Sequence, residues 1–117
     1  MEGILSMAQE SVPTILVVED EEELASTFDR WLQPDYRVIT AHTAKAAIDI
    51  LNESIDVVLL DRRLPDSPGE EVLDAIRNAG YDCRVAMITA VDPDVDILEM
   101  AFDDYVVKPV TQDELLG

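Results

Sequence analysis

Apolar residues along the chain fall into two kinds of pattern that alternate from the N-terminus to the C-terminus. The first kind is a short continuous run such as TILVV or VVLL, which is typical of a strand buried on both faces of a sheet. The second kind recurs every three or four residues, which is typical of an amphipathic helix. The pattern predicts strands over residues 14–18, 37–40, 56–60, 85–89 and 105–107, with a helix after each.

Residues that favour helix ends stand where the helical stripes begin or stop. The second helix is predicted to bury Ala44, Ala47, Ile48 and Leu51 on one face. The boundary residues are Pro34 after the first helix, Thr43 before the second, Gly80 after the third, Asp92 and Pro93 at the start of the fourth, and Thr111 with Glu114 as a capping box before the fifth.

Strand and helix alternate five times, which predicts an α/β fold with parallel strands and helices on both faces of the sheet. The fifth helix has a proper cap but is barely one turn long, too short to be stable alone. We therefore expect a single domain over residues 13–117 that is cut at the start of its last helix, with more protein downstream. Residues 1–12 are expected to be an N-terminal extension or a remnant added for expression.

The charge balance excludes several classes of partner. Eight basic residues face 26 acidic ones, for a net charge of -18 in 117 residues. Such a surface repels phosphate backbones and anionic membranes, so direct nucleic-acid contact and membrane binding by this domain are not expected. Only two of the basic residues are lysines, and an acidic, lysine-poor surface suits a cytoplasm of very high salt. The composition therefore predicts a halophilic source.

Neither the single cysteine nor the chain start indicates export. One cysteine, Cys83, excludes a disulfide within the chain and a cysteine-rich metal site. No apolar run approaches the length that spans a membrane, and the first residues lack the basic and apolar regions of a signal peptide. We therefore expect a cytoplasmic protein, and its length excludes a two-domain enzyme.

Acidic side chains stand at the carboxyl ends of two predicted strands. Glu19 and Asp20 follow the first strand, and Asp61 follows the third. In an open parallel sheet the ligand site lies beyond these ends, where the strand order reverses. If the two strands are neighbours, each pair of carboxylates repels by about 3 kcal/mol, and a hard divalent cation such as Mg²⁺ would relieve that repulsion.

A hydroxyl and a lysine are predicted at the same edge of the sheet. Thr89 ends the fourth strand and Lys108 follows the fifth. Together with the carboxylates they make a small constellation suited to phosphoryl chemistry, in which an aspartate can be the nucleophile. Each residue alone has a simpler explanation as a helix cap, a turn residue or a surface charge. Their agreement at one edge favours the phosphoryl hypothesis.

Four motifs, taken together, resemble the receiver domain of two-component response regulators. They are TILVVEDEEEL, VVLLDRRLPDSPG, VAMITA and DDYVVKP, in this order, and the resemblance covers about residue 13 to the C-terminus. Each motif alone is loose, but the four together are specific. The resemblance implies a flavodoxin-like (CheY-like) doubly wound sheet of five parallel strands in the order 2-1-3-4-5.

The resemblance also implies a role for each residue at the strand ends. Asp61 would be the phosphoacceptor, and Lys108 would pair with the phosphoryl group. Mg²⁺ (or Mn²⁺) would be held by Glu19, Asp20, Asp61 and the backbone carbonyl of Arg63, with Asp20 the more direct ligand of the acidic pair. Such a receiver is not an enzyme on external substrates, although it promotes its own phosphorylation and dephosphorylation.

Phosphorylation would change the conformation through two further residues. Thr89 would move to hydrogen-bond a phosphoryl oxygen, and Tyr105 would rotate inward. The face made by the fourth helix, the fifth strand and the fifth helix would then change its partner preference, as a shift between two states. The peptide bond between Lys108 and Pro109 is expected to be cis.

The implied partners are a histidine kinase and an output module, such as a transcription regulator, beyond the end of this chain. A homodimer formed through the fifth helix would be weakened by its truncation. Three other functions stay open. They are a receiver-like interaction module that is never phosphorylated, an aspartate-nucleophile phosphatase, which normally has a second acid where Arg63 stands, and a flavin or dinucleotide binder, for which the glycine-rich turn is missing here.

Two residues depart from the family pattern or stand outside it. Phe102 occupies a position before the DDY motif where the family usually has a small residue, and it could alter the partner face or simply fill the core. His42, the sole histidine, is expected to be a surface residue in a loop far from the strand ends.

Overall fold

The computed structural model describes residues 12–90 and 102–116. Strands and helices alternate within residues 12–90 and again within residues 102–116, as the hydrophobic pattern predicts. The fourth helix predicted from Asp92 to Ala101 lies outside the described residues. The elements are β1 (Thr14–Val18), α1 (Glu22–Leu32), β2 (Arg37–Ala41), α2 (Ala44–Ile50), β3 (Val57–Asp61), α3 (Gly69–Asn78), β4 (Arg84–Thr89), β5 (Asp104–Val107) and α4 (Gln112–Leu116).

All five strands form one parallel sheet in the order β2-β1-β3-β4-β5. The two most apolar strands, β1 and β3, are adjacent near the middle, where helices cover both faces and every side chain of the two strands except that of Val57 is buried. In this register Val18 pairs with Ala41 of β2 on one side and Leu60 of β3 on the other. The predicted doubly wound fold is confirmed, and the last helix is short.

The core is divided between the two faces of the sheet because successive strand residues point to opposite sides. On one face Leu16 and Leu60 pack in a cluster with Leu73 and Ile76 of α3. On the other face β1 residues pack with Phe28 and other residues of α1, and Phe28 is completely buried. Burying a side chain of this size stabilises the fold by about 1.5–3 kcal/mol.

Most of the predicted helix boundaries are observed. Thr43 caps α2, its hydroxyl accepting a hydrogen bond from the Ala46 N–H at 3.0 Å. Gly80 follows α3 with a φ of 81°, a conformation in which glycine is favoured. At the start of α4 the Glu114 N–H donates to the Thr111 hydroxyl at 3.2 Å, and the Thr111 N–H donates to the Glu114 carboxylate at 3.0 Å.

Three strands are one residue longer than predicted, since β2 ends at Ala41, β4 begins at Arg84 and β5 begins at Asp104. Two further details differ from the prediction. The third strand spans Val57–Asp61 rather than residues 56–60, although the Asp56 N–H donates to the Thr14 carbonyl at 2.9 Å and the Asp56 carboxylate accepts from the Thr14 N–H at 2.8 Å. Ile48 does not face the core and is 39% exposed. The small α2 buries chiefly its alanines, Ala44 and Ala47, which allow a close approach to the sheet.

No helix within residues 12–90 and 102–116 is long and apolar enough to cross a membrane.

The acidity of the chain predicts that its stability depends on the salt concentration. With a net charge of -18 the folded state repels itself at low ionic strength, and salt screens this repulsion over a Debye length of about 3 Å at 1 M.

We expect the thermal midpoint to rise by on the order of 10 °C, equivalent to about 2 kcal/mol, between dilute buffer and molar KCl. Circular dichroism melts across a KCl series check this. A sucrose series serves as the control, because sucrose favours the compact state by exclusion without screening charge. A midpoint that is independent of KCl, or that sucrose raises equally, would contradict the charge-screening explanation.

Candidate functional site

The sheet order brings the predicted acidic residues together. β1 and β3 are neighbours, so Glu19 and Asp20 at the end of β1 meet Asp61 at the end of β3. One carboxylate oxygen from each of the three lies within 4.8 Å of the other two. Glu19 and Asp61 are buried, whereas Asp20 is exposed. The cluster therefore has a buried base and one carboxylate that faces solvent.

Glu19 is a completely buried carboxyl group, which is an unusual position for an acid. Its backbone N–H donates to the Ala41 carbonyl at 2.9 Å, and its Oε2 accepts from the Glu21 N–H at 3.2 Å. Burial, reinforced by the nearby negative charge of Asp61, raises the pKa of Glu19 to about 7. Ionisation of the Glu19 carboxyl group therefore costs more free energy in the folded protein than in water.

Lys108 is the cation that faces the acidic group. Its Nζ lies 3.2 Å from Asp61 Oδ2 and 3.3 Å from Glu19 Oε1. Burial lowers the pKa of Lys108, but the negative charges of Asp61 and Glu19 and the hydrogen bond to Asp61 outweigh that effect and raise it. The backbone of Lys108 is fixed as well, since its N–H donates to the Thr89 carbonyl at 2.8 Å. Lys108 is thus positioned as a permanently charged group beside Asp61.

The remaining predicted residues surround Asp61 in a cleft of about 390 Å³. The Arg63 N–H donates to Asp61 Oδ1 at 3.1 Å, and Arg63 is exposed at the rim. Thr89 is buried at the end of β4, the strand next to Asp61. The cleft is lined by Asp20, Glu21, Asp61, Arg62, Arg63, Thr89, Ala90 and Lys108.

The donor set fits a hard divalent cation. Glu19 Oε1 is buried and accepts no hydrogen bond from any group in the described part of the chain, although Lys108 Nζ is 3.3 Å away. A buried carboxylate oxygen without a hydrogen-bond donor costs free energy unless a cation binds to it. Three carboxylates against one ammonium also leave the cluster negative. Carboxylate and backbone oxygens are the ligands that Mg²⁺ prefers, so the residues present suit that ion.

Tyr105 lies outside the lining of the cleft. It is in β5, two residues before Val107, which pairs with Thr89. Tyr105 is 42% exposed, and its ring meets that of Phe102 edge-on, with ring centroids 6.3 Å apart. Phe102 itself is half-buried and packs against the core, so the aromatic that departs from the family pattern does fill space. The Lys108–Pro109 peptide bond is cis.

Gly69 is a site residue that the sequence reasoning did not identify. It begins α3, and its N–H donates to the Arg62 carbonyl at 2.7 Å. A Cβ at this position would stand 2.3 Å from the Asp61 carbonyl oxygen and 3.0 Å from Arg62 Cα. Only a residue without a side chain allows α3 to approach β3 so closely. The Pro-Gly pair at the start of a predicted helix was the available signal.

The expectation for His42 was wrong. His42 directly follows β2, whose end lies beside the end of β1, and its Nδ1 is 2.9 Å from the backbone carbonyl oxygen of Glu19. The ring is half-buried rather than on a remote surface loop. Its place immediately after a predicted strand could have indicated this, because the carboxyl ends of parallel strands share one edge.

Comparison with known proteins identifies relatives over nearly the whole chain. A family profile described as the response regulator receiver domain matches residues 15–117. The "Putative transcriptional regulator" of Haloferax volcanii is 52% identical over 102 residues, which cover 86% of this chain and 18% of that protein. The transcriptional regulatory protein CpxR of Escherichia coli K12 is 38% identical over 107 residues, which cover 88% of this chain and 46% of that protein.

Solved structures agree with the observed fold. The non-phosphorylated HemR receiver domain from Leptospira biflexa superposes with a TM-score of 0.81 at 33% identity, covering 89% of this chain and 88% of that one. The chain spans less than half the length of the curated relatives described above. The similarity therefore concerns this domain and not the rest of those proteins.

Proposed function

The chain belongs to the response regulator receiver domains of two-component systems, and on that basis we propose that Asp61 accepts a phosphoryl group from a histidine kinase in a Mg²⁺-dependent reaction. The observation that carries this proposal is the contact of Lys108 Nζ with Asp61 Oδ2 at 3.2 Å inside a cleft lined by further carboxylates. An ammonium placed there suits a phosphoryl group attached to Asp61.

In the proposed reaction an Asp61 carboxylate oxygen forms a bond to phosphorus while the bond from phosphorus to the donor breaks. The donor group leaves with the electron pair of that bond. Mg²⁺, held by Glu19, Asp20, Asp61 and the Arg63 carbonyl, would neutralise charge on the transferring group. Lys108 supplies a fixed positive charge, and the Arg63 N–H holds Asp61 through the Oδ1 that it contacts.

The proposed switch uses Thr89 and Tyr105. Thr89 lines the cleft and its hydroxyl would hydrogen-bond an oxygen of the new phosphoryl group. Tyr105 is exposed on the neighbouring strand, so inward rotation would change the surface around β5 and α4. The resulting population shift needs only a few kcal/mol of difference between the two states.

Relatives suggest the consequence of this switch. The matched relatives are transcriptional regulators by name, and this chain corresponds to a part of each. We propose that the domain, over residues 13–117, controls an output module that acts in transcription, without touching nucleic acid itself because of its net charge of -18. Phosphorylation and dephosphorylation of itself would be its only chemistry.

Intact mass spectrometry tests the proposal directly. The chain is incubated with Mg²⁺ and a small acyl phosphate in concentrated KCl, and we expect one added phosphoryl group on the parent and none on Asp61→Asn. Asp74→Asn, at an exposed aspartate of α3, is the matched control and should be phosphorylated like the parent.

Two results would contradict the assignment. An added phosphoryl group on Asp61→Asn would mean that another residue is the acceptor. If neither the parent nor Asp74→Asn is modified and Mg²⁺ does not bind, the interaction-module hypothesis replaces the receiver mechanism.

A further inference from the structure

We propose that His42 is a positioning residue for the divalent cation, because it fixes the peptide group that carries Asp20. The inference rests on the proposed function, since it concerns the same site. The His42 ring nitrogen Nδ1 lies 2.9 Å from the backbone carbonyl oxygen of Glu19. A carbonyl can only accept, so Nδ1 carries the hydrogen and donates it.

The contact acts on Asp20 through the geometry of the backbone. The carbonyl oxygen of Glu19 belongs to the planar peptide group that ends at the Asp20 Cα. Holding that oxygen fixes the plane and so the point from which the Asp20 side chain departs. The N–H of Glu19 is already bonded to the Ala41 carbonyl at 2.9 Å. Both backbone groups of Glu19 are thus tied to the end of β2.

Asp20 depends on this backbone support more than its neighbours do. Its side chain is exposed, and within residues 12–90 and 102–116 no hydrogen bond or ion pair holds its carboxylate. Glu19 and Asp61, in contrast, are buried and contact Lys108. A carboxylate that must meet a cation with two buried partners is placed mainly by the direction of its backbone, which His42 restrains.

Hydrogen bonds fix the backbone that directly follows His42. Thr43 caps α2 through the Ala46 N–H at 3.0 Å. The Asp66 carboxylate, from the loop that follows β3, accepts hydrogen bonds from the Ala44 N–H at 2.9 Å and the Lys45 N–H at 3.0 Å. The same two bonds lower the pKa of Asp66. Hydrogen bonds therefore connect the loop beyond Asp61 with the start of α2. His42, which precedes α2, connects this region with the backbone of Glu19.

A merely structural contact between β1 and β2 would also explain the hydrogen bond. The two explanations differ in what they predict for ion binding. A positioning residue changes the affinity of the folded protein for the cation, whereas a structural contact changes only the stability. Groups that hold ligands of a metal in place typically alter affinity by about 10-fold to 100-fold when removed.

The experiment compares three replacements of His42 in the full chain. An asparagine side chain at this position places an amide N–H close to the position of Nδ1, so His42→Asn should keep the donor. His42→Gln moves the amide toward the position of Nε2, and His42→Leu removes it. Mn²⁺ serves as the probe, with the signal of the unbound ion followed by electron paramagnetic resonance. Thermal melts of each variant confirm that binding is measured on folded protein.

We expect His42→Gln and His42→Leu to weaken Mn²⁺ binding by about tenfold, and His42→Asn to stay within about twofold of the parent. In phosphorylation assays the Mg²⁺ concentration at half-maximal rate should rise by a similar factor in the first two variants. The rate at saturating Mg²⁺ should stay close to that of the parent, because Asp61 and Lys108 are unchanged.

Several results would overturn the inference. If the parent is phosphorylated but all three variants bind Mn²⁺ like the parent, the proposed function stands and the role of His42 fails. The role also fails if His42→Gln and His42→Leu lower only the thermal midpoint, or if His42→Asn weakens binding as much as they do. Absence of Mn²⁺ binding in the parent would overturn the metal site and the inference together.

Discussion

Gly69→Ala should destabilise the protein by about 3 kcal/mol or more, because the new methyl group would collide with backbone atoms. The Cβ would stand 2.3 Å from the Asp61 carbonyl oxygen and 3.0 Å from Arg62 Cα. Neither atom belongs to a flexible side chain that can turn away. Relief requires that α3 move from the end of β3, which would also break the 2.7 Å hydrogen bond from the Gly69 N–H to the Arg62 carbonyl.

Urea unfolding in concentrated KCl measures this effect, with Gly80→Ala as the matched control. Gly80 has a φ of 81°, and a Cβ there would meet nothing within 4 Å. Gly80→Ala therefore reports backbone strain alone, at about 1–2 kcal/mol. A Gly69→Ala variant that is no less stable than Gly80→Ala would show that the approach of α3 to β3 is not as close as the structure has it.

The stability of the ion-free protein should fall as the pH rises through the neutral range, because Glu19 is a buried acid. Its pKa is raised from 4.5 to about 7, so the folded state holds a proton that the unfolded state has released. Stability therefore decreases between about pH 4.5 and pH 7, by about 3 kcal/mol in total, and is not recovered above that range. Lys108 does not act in this window, since its pKa is raised from 10.5.

Glu19→Gln isolates this contribution. The variant cannot ionise, so its loss of stability between about pH 5 and about pH 8 should be smaller than the loss in the parent by about 3 kcal/mol. Glu23→Gln, at an exposed glutamate of α1, should behave like the parent. Urea unfolding with a chelator present gives these values. Equal pH dependence in the parent and Glu19→Gln would mean that Glu19 is ionised without penalty.

A divalent cation should reverse the loss at about pH 8 in the parent, since binding to the folded state alone stabilises it. The ion would satisfy the Glu19 oxygen that accepts no hydrogen bond from the described residues. Glu19→Gln should gain less from Mg²⁺ than the parent at the same pH. Equal gains in both proteins would place the ion elsewhere.

The local features of the fold were predictable because they depend on neighbours in the chain. The apolar runs of β1 and β3 differ from the helical stripe of α1 by their period, and Thr43 and Thr111 act on N–H groups within three residues. The strand ends differ from the prediction by one residue, because pairing with the neighbouring strands sets them and the apolar pattern does not.

The acidic residues at the strand ends were predictable as a set, but their individual environments were not. Sequence position alone gives no reason for Glu19 to be buried and Asp20 exposed. That difference depends on tertiary contacts such as the one between Lys108 Nζ and Glu19 Oε1 at 3.3 Å. The raised pKa of Glu19 has the same origin, because burial and the charge of Asp61 cause it together.

By itself, the sequence determined the alternation of strands and helices, the helix boundaries and the set of polar residues at one edge of the sheet, because periodicity and capping act over a few residues. The tertiary structure alone decided the contact of Lys108 with Asp61, the approach of Gly69 and the hydrogen bond from His42 to Glu19. These contacts join residues that are 23 or 47 positions apart, or pack one element against another, so strand order and register set their distances.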